Sequence, residues 1–307
     1  MTWKTEKRRG HNYNDDVCII RYHQSASMRL HTFGLCLVTQ KTTTSQAFLS
    51  LKYGYRRISS QMSARADAPS STSTEDVLGE DAITILGFGS LLSERSARMT
   101  FPALDNFRLG RVPNYRRVFA HPASIFFQRG IANVETKEMS SLSAEYCEGH
   151  PGFVCSIFEV PNHDMMSNGL PSEAFLEREE EFNIIEVPYI DFENRDCKDD
   201  KLAILCTASS DDEYIKRWSQ ERFKENYLNY GISTIWGWER TSGLRPCGVY
   251  LRHCYLAAKS MGDECYESFL DETFLVDRET TIREYIRRFP QALETKPPPD
   301  LIGRYSG

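Results

Sequence analysis

No run of about eighteen apolar residues occurs in the 307-residue chain, so no segment reads as a membrane-spanning helix. None of its nine cysteines (Cys18, Cys36, Cys147, Cys155, Cys197, Cys206, Cys247, Cys254 and Cys265) stands in a Cys-x-x-Cys pair. The count is odd and the chain is too long for a disulfide-stapled miniature, so these read as reduced thiols, mostly small buried hydrophobes. No cysteine is set with histidines at zinc-ligand spacing, so no metal is expected. No long basic stripe appears in the second half, which argues against a nucleic-acid partner. His121, His150, His163 and His253 are scattered, none beside a serine or cysteine in a nucleophile motif, and none receives a role. From Val17 to Ala66 there is no acidic residue.

That acid-poor window holds Arg21, Arg29, Lys41, Lys52, Arg56, Arg57 and Arg65 among many Ser and Thr. Basic, hydroxyl-rich and acid-poor is the composition of an organelle transit peptide, plastid or mitochondrial; the alternatives are a tail with no address, in a cytoplasmic protein, or a wrongly assigned start. Met28 is a second candidate start, and Ala66 to Thr74 reads as a linker. Residues 1–81 carry 11 Lys+Arg against 8 Asp+Glu, whereas the whole chain is at −6, so the remainder is acidic. With 40% hydrophobic and 12% aromatic residues the chain can bury a core. The expected organisation is a leader over 1–81, a folded unit over 82–210 and a helical extension over 211–307.

The folded part begins at Ile83-Thr84-Ile85-Leu86, a short apolar run stopped by glycine and so a buried strand. Gly87 and Gly89 flank Phe88, and Ser90-Leu91-Leu92 follows. Glycine tolerates positive φ and admits close approach to the backbone, so this loop suits N–H groups aimed at a ligand oxygen. Many buried strands end in such a turn without any ligand. No third glycine follows at dinucleotide spacing, and no Gly-Lys-Ser/Thr closes a P-loop. Ser93 to Met99 reads as a helix capped at Ser93. Phe107 to Ala120 reads as two strands about the Pro113-Asn114 turn, and Ile125–Phe127, Ile131–Val134 and Phe153–Val160 as further strands. Many short strands with frequent turns predict a small barrel.

Pro171 to Phe182 reads as a short acidic helix capped at Ser172, with Phe175 and Phe182 on one face. Ile184 to Pro188 then returns to strand character. The five carboxylates between Glu173 and Glu181 read, on composition alone, as a solvated face. Asp191 to Asp200 reads as an acidic surface loop. Helical patterns follow over Asp211–Asn229, Cys247–Ala258, Asp263–Phe274 and Thr281–Ile286, and the pair Trp236 and Trp238 reads as packing anchors.

Gly87-Phe88-Gly89-Ser90-Leu91-Leu92 resembles the Tyr/Phe-Gly-Ser/Thr-x-Leu signature of the γ-glutamylcyclotransferase-like superfamily. Asn114-Tyr115-Arg116-Arg117, Ala132-Asn133-Val134 and Phe153 to Val160 follow in the order that superfamily uses, so the resemblance spans residues 83 to 188. Phe175 to Val187 resembles the element that carries its general-base glutamate, with Arg178-Glu179 in the Arg-Glu position. The glycine often found after that position is missing, and three consecutive glutamates leave a one-residue slip to Glu180 open.

The resemblance implies an α+β fold, a small mixed β-barrel with a short acidic helix and a C-terminal helical extension packed on it. It implies an enzyme that needs no cofactor and releases 5-oxoproline from a γ-glutamyl compound. Glu179 would be the general acid/base, and Phe88, Gly89, Ser90 and Leu91 would hold the substrate. Ser93-Glu94-Arg95-Ser96 does not resemble the continuation found in the glutathione-specific, ChaC-like branch. Two other readings stay open: a non-catalytic binding module of the same fold, and a protein partner bound through residues 212–296.

Overall fold

A computed structural model describes residues 82–162, 166–167, 170–171, 173–194 and 201–307. The leader, the linker, Ser172 with its expected cap, His163 and Cys197 lie outside the described residues, as does the end of the expected acidic loop. Among the described residues no helix is long and apolar enough to cross a membrane.

Ile83 to Leu86 forms the centre of β1 (Ala82–Gly87), followed by a single 3-10 turn and α1 (Glu94–Arg98). Ser93 caps α1, its side chain accepting the Ser96 N–H at 3.3 Å. β2 (Asp105–Val112) and β3 (Tyr115–Pro122) flank the Pro113-Asn114 turn. Asn114 takes φ 61°, a left-handed conformation that asparagine tolerates. α2 (Ser124–Gln128), β4 (Glu138–Tyr146) and β5 (Phe153–Pro161) come next. A two-strand ribbon, β6 (Met166–Ser167) with β7 (Leu170–Pro171), leads to α3 (Glu173–Arg178), β8 (Asn183–Pro188), β9 (Ile190–Asp191) and β10 (Leu202–Thr207). After these stand α4 (Asp211–Trp218), α5 (Gln220–Asn226), β11 (Arg245–Pro246), α6 (Gly248–Ser260), α7 (Asp263–Asp271), β12 (Thr273–Leu275) and α8 (Ile282–Arg288).

The fold is α+β. Among the described residues, ten strands form one mixed sheet in the order β12-β3-β4-β10-β1-β5-β2-β9, with β11 beside β4 and β8 beside β10. β1 runs antiparallel to β5 and parallel to β10. Among the described residues no pairing joins β12 to β9, so the expected closure into a barrel is not seen in the ladder.

Several expectations are corrected. Ile125–Phe127 lies in helix α2, not a strand: an apolar triplet does not by itself distinguish the two. Ile131–Val134 is irregular apart from one bridge between Asn133 and Glu138. Asp191 is not on a solvated loop but on β9, where its carboxylate accepts from Arg108 Nε at 2.8 Å. Burial alone would raise its pKa, but the Arg108 guanidinium and nearby N–H donors hold it below the usual carboxylate value. The segment after residue 210 also supplies strands β11 and β12, hidden among helical patterns.

The helices after residue 247 share a core with the sheet. Leu251, Cys254 and Ala257 of α6 are fully buried in one cluster with Leu92, Val154 and Leu205. Four of the six described cysteines are buried and all six are free thiols. α8 begins with Thr281 and Glu284 forming a reciprocal capping box.

Candidate active site

The glycine loop leaves the end of β1 and is braced from below. Arg117 on β3 is fully buried; its guanidinium donates to Phe88 O at 3.3 Å, to Val154 O at 3.2 Å and to Thr273 Oγ1 at 2.7 Å. Burial lowers its pKa. The rings of Phe153 and Phe269 lie 5.0 and 5.1 Å from it. Both loop glycines serve close approach rather than positive φ. A Cβ on Gly87 would lie 2.4 Å from Ser156 Oγ and 2.9 Å from Leu91 O; one on Gly89 would lie 2.3 Å from the Tyr250 hydroxyl. The loop is thus pinned between the sheet and α6.

The glutamate run lies where α3 ends and the chain turns into β8, so three adjacent carboxylates meet three surroundings. Glu179 is partly buried, with Arg178 Nε at 3.0 Å from its Oε1. Burial, and secondly the negative charge of Glu179, push the neighbouring Cys206 thiol well above its ordinary pKa. Glu180 is buried. Its Oε1 accepts from Ser124 Oγ at 2.5 Å and Asn226 Nδ2 at 3.1 Å, and its Oε2 pairs with Arg222 at 2.8 Å. Glu181 is also buried; its Oε1 accepts from the Tyr227 hydroxyl at 2.6 Å and the Ser124 N–H at 2.9 Å. Burial, and secondly the charge of Glu180, raise the Glu181 carboxyl to about 7.

The solvated-face expectation therefore fails for Glu180 and Glu181. The expectation that Phe175 and Phe182 share a face fails too, because α3 stops at Arg178. Phe175 packs with Phe101 and Phe158, whereas Phe182 meets His121 and Trp236 edge-on. Trp218 and Trp236 anchor the turn, their indole N–H groups donating to Glu180 O and Glu181 O, each at 3.1 Å.

The loop and the turn face one cavity of about 720 Å³. Phe88, Gly89, Ser90 and Leu91 line it, and so do Glu179, Glu180 and Glu181. The two stretches are thus brought together from 88 to 93 residues apart in the chain. Sequence reasoning missed Glu181, Ser124, Tyr227 and Arg222, as well as Arg129, Arg304 and Tyr305, which form another part of the wall. Among the described residues no group of three His, Cys, Asp or Glu could hold a metal ion.

No family model matches the chain, and no curated protein does. Among solved structures, the chain is similar to a yeast γ-glutamyl cyclotransferase specific to glutathione. That match has 11% identity and a TM-score of 0.39, and covers 70% of this chain and 96% of that one. A second similar structure is a γ-glutamyl cyclotransferase at 13% identity and TM-score 0.30, covering 49% and 83%. A third is an uncharacterized protein from Homo sapiens at 13% identity and TM-score 0.32, covering 42% and 68%.

Proposed function

We propose that the chain is a γ-glutamylcyclotransferase-type enzyme that releases 5-oxoproline from a small γ-glutamyl compound. The observation that carries this reading is the shared cavity: a glycine-pinned loop on one wall and a run of carboxylates in distinct electrostatic states on another. The reaction is intramolecular. The substrate's α-amine attacks the carbonyl carbon of its own γ-linked amide, a C–N bond closes the five-membered ring, and the bond to the former amine breaks. Protons given up by the α-ammonium end on the departing nitrogen, so neither water nor a cofactor is consumed.

Holding the γ-glutamyl group is assigned to the loop backbone of Phe88, Gly89, Ser90 and Leu91, where the ring-closing conformer must be fixed. The proton transfer is assigned to Glu179. Glu180 is the poorer base, because both its oxygens are engaged by Ser124, Asn226 and Arg222. A second reading moves the proton to Glu181, whose carboxyl titrates near neutrality, where general acid–base catalysis is most effective.

The test is 5-oxoproline release by the full chain from γ-glutamyl amino acids, γ-glutamyl-lysine and glutathione, beside Glu179→Gln and Glu181→Gln. Release lost in Glu179→Gln and kept in Glu181→Gln supports Glu179. The opposite pattern transfers the role to Glu181. No release from any compound by a folded protein would leave a binding module.

A further inference from the structure

Among the described residues four arginines line the cavity, and two of them are neutralised within it. Arg178 pairs with Glu179, and Arg222 pairs with Glu180. Arg129 and Arg304 have no carboxylate partner among the described residues. Arg129 caps the C-terminal end of α2, and Arg304 comes from the tail after α8. They meet around Tyr305: Arg129 donates to the Tyr305 hydroxyl at 2.7 Å, and its guanidinium lies 5.6 Å from the ring centre. Burial, and secondly the charge of Arg129, hold Arg304 below the usual arginine pKa, with Arg178 adding to the effect.

The tail is docked rather than loosely laid down. Tyr305 is buried, and its ring meets the His253 ring edge-on at 5.7 Å. The Gly307 N–H donates to His253 Nδ1 at 2.9 Å, and His253 Nε2 lies 3.3 Å from Ser96 Oγ. Burial, and secondly the charge of Arg304, lower His253 to about 4. It is therefore neutral at physiological pH, accepting at Nδ1 and donating from Nε2. This network sets Arg304 and Arg129 into the cavity wall as paired cations.

Two like charges held together in a partly dry wall repel each other, and an anion between them relieves that repulsion. The guanidinium fork matches a carboxylate in particular. We propose that Arg129 and Arg304 form a subsite for a carboxylate carried by the departing amine, so that the substrate is a γ-glutamyl amino acid or peptide rather than a neutral γ-glutamylamine. This rests on the cyclisation reading above and adds the tail as the element that sets leaving-group preference.

The experiment compares γ-glutamyl-alanine with γ-glutamyl-ethylamine, which differ by that one carboxylate, on the full chain and on Arg304→Gln and Arg129→Gln. Turnover and calorimetric binding are both read, with thermal melting as the check on folding. The wild type should prefer γ-glutamyl-alanine. Each variant should reduce that preference about tenfold, through KM rather than kcat, and Arg304→Lys should restore part of it. Equal use of both compounds by the wild type, or an unchanged preference in both variants, overturns the subsite while leaving cyclisation standing. If neither compound is turned over, γ-glutamyl-alanine binding that weakens about tenfold in the variants keeps the subsite and removes cyclisation. Binding that is absent, or equal in all proteins, removes both.

Discussion

Replacing Glu181 by glutamine isolates the carboxyl whose environment departs most from water. Burial and the charge of Glu180 raise it from 4.5 to about 7. That rise corresponds to about 3 kcal/mol. The sign follows from proton counting. Between pH 4.5 and 7 the folded chain keeps a proton that the unfolded chain has released. The stability this group contributes is therefore fully present below pH 4.5 and is lost as pH rises through 7.

Glutamine at 181 keeps an oxygen to accept from the Tyr227 hydroxyl and the Ser124 N–H, and it does not titrate. Wild type and Glu181→Gln should thus be of similar stability near pH 4.5 and diverge by about 3 kcal/mol by pH 8, with the variant the more stable. Urea unfolding of both proteins across that range, followed by tryptophan fluorescence, measures the difference. His121 and His253 titrate in the opposite sense but are present in both proteins, so their contributions cancel. A difference that stays constant from pH 4.5 to 8 would refute the buried state of this carboxyl beside Glu180.

Gly89→Ala forces a Cβ to within 2.3 Å of the Tyr250 hydroxyl; overpacking should cost about 1–3 kcal/mol in melting or urea experiments. Tyr250→Phe should recover part of that loss, since the nearest ring carbon is 3.5 Å away, and no recovery would show that the clash lies elsewhere. His121 is fully buried, stacked at 4.3 Å on Trp236, and neither ring nitrogen has a hydrogen-bond partner among the described residues. Burial lowers it to about 3, so its contribution is present above pH 6.5 and is lost as pH falls toward 3. His121→Phe should therefore gain about 1–2 kcal/mol at pH 7 and more at pH 5; a variant less acid-resistant than the wild type would contradict this.

What could be read from the sequence depended on whether the causes were local. β1, the β2–β3 turn and the cap of α1 were legible, because a few adjacent residues determine them: an apolar run stopped by Gly87, Pro113-Asn114, and Ser93. β4 and β10 were not. Ser140, Ser141 and Ser143 disguise β4 as a polar stretch although all three are buried. β10 sits mid-sheet between β4 and β1, a place set by pairings with residues far away in the chain. The same division runs through the candidate site. The partner of Glu179 is local, because Arg178 is its neighbour in sequence as in space. Glu180 and Glu181 are distinguished by Arg222, 42 residues away, by Tyr227, 46 away, and by Ser124, 57 away from Glu181. No periodicity can separate three consecutive glutamates whose surroundings come from α2 and α5. The helix-to-strand turn supplies the separation: it ends the helical rotation at Arg178 and aims each next carboxylate differently. A one-residue ambiguity in sequence thereby becomes a difference of surroundings: one carboxyl lies beside Arg178, the next is held by Ser124, Asn226 and Arg222, and the third is buried against Tyr227 with its pKa raised to about 7.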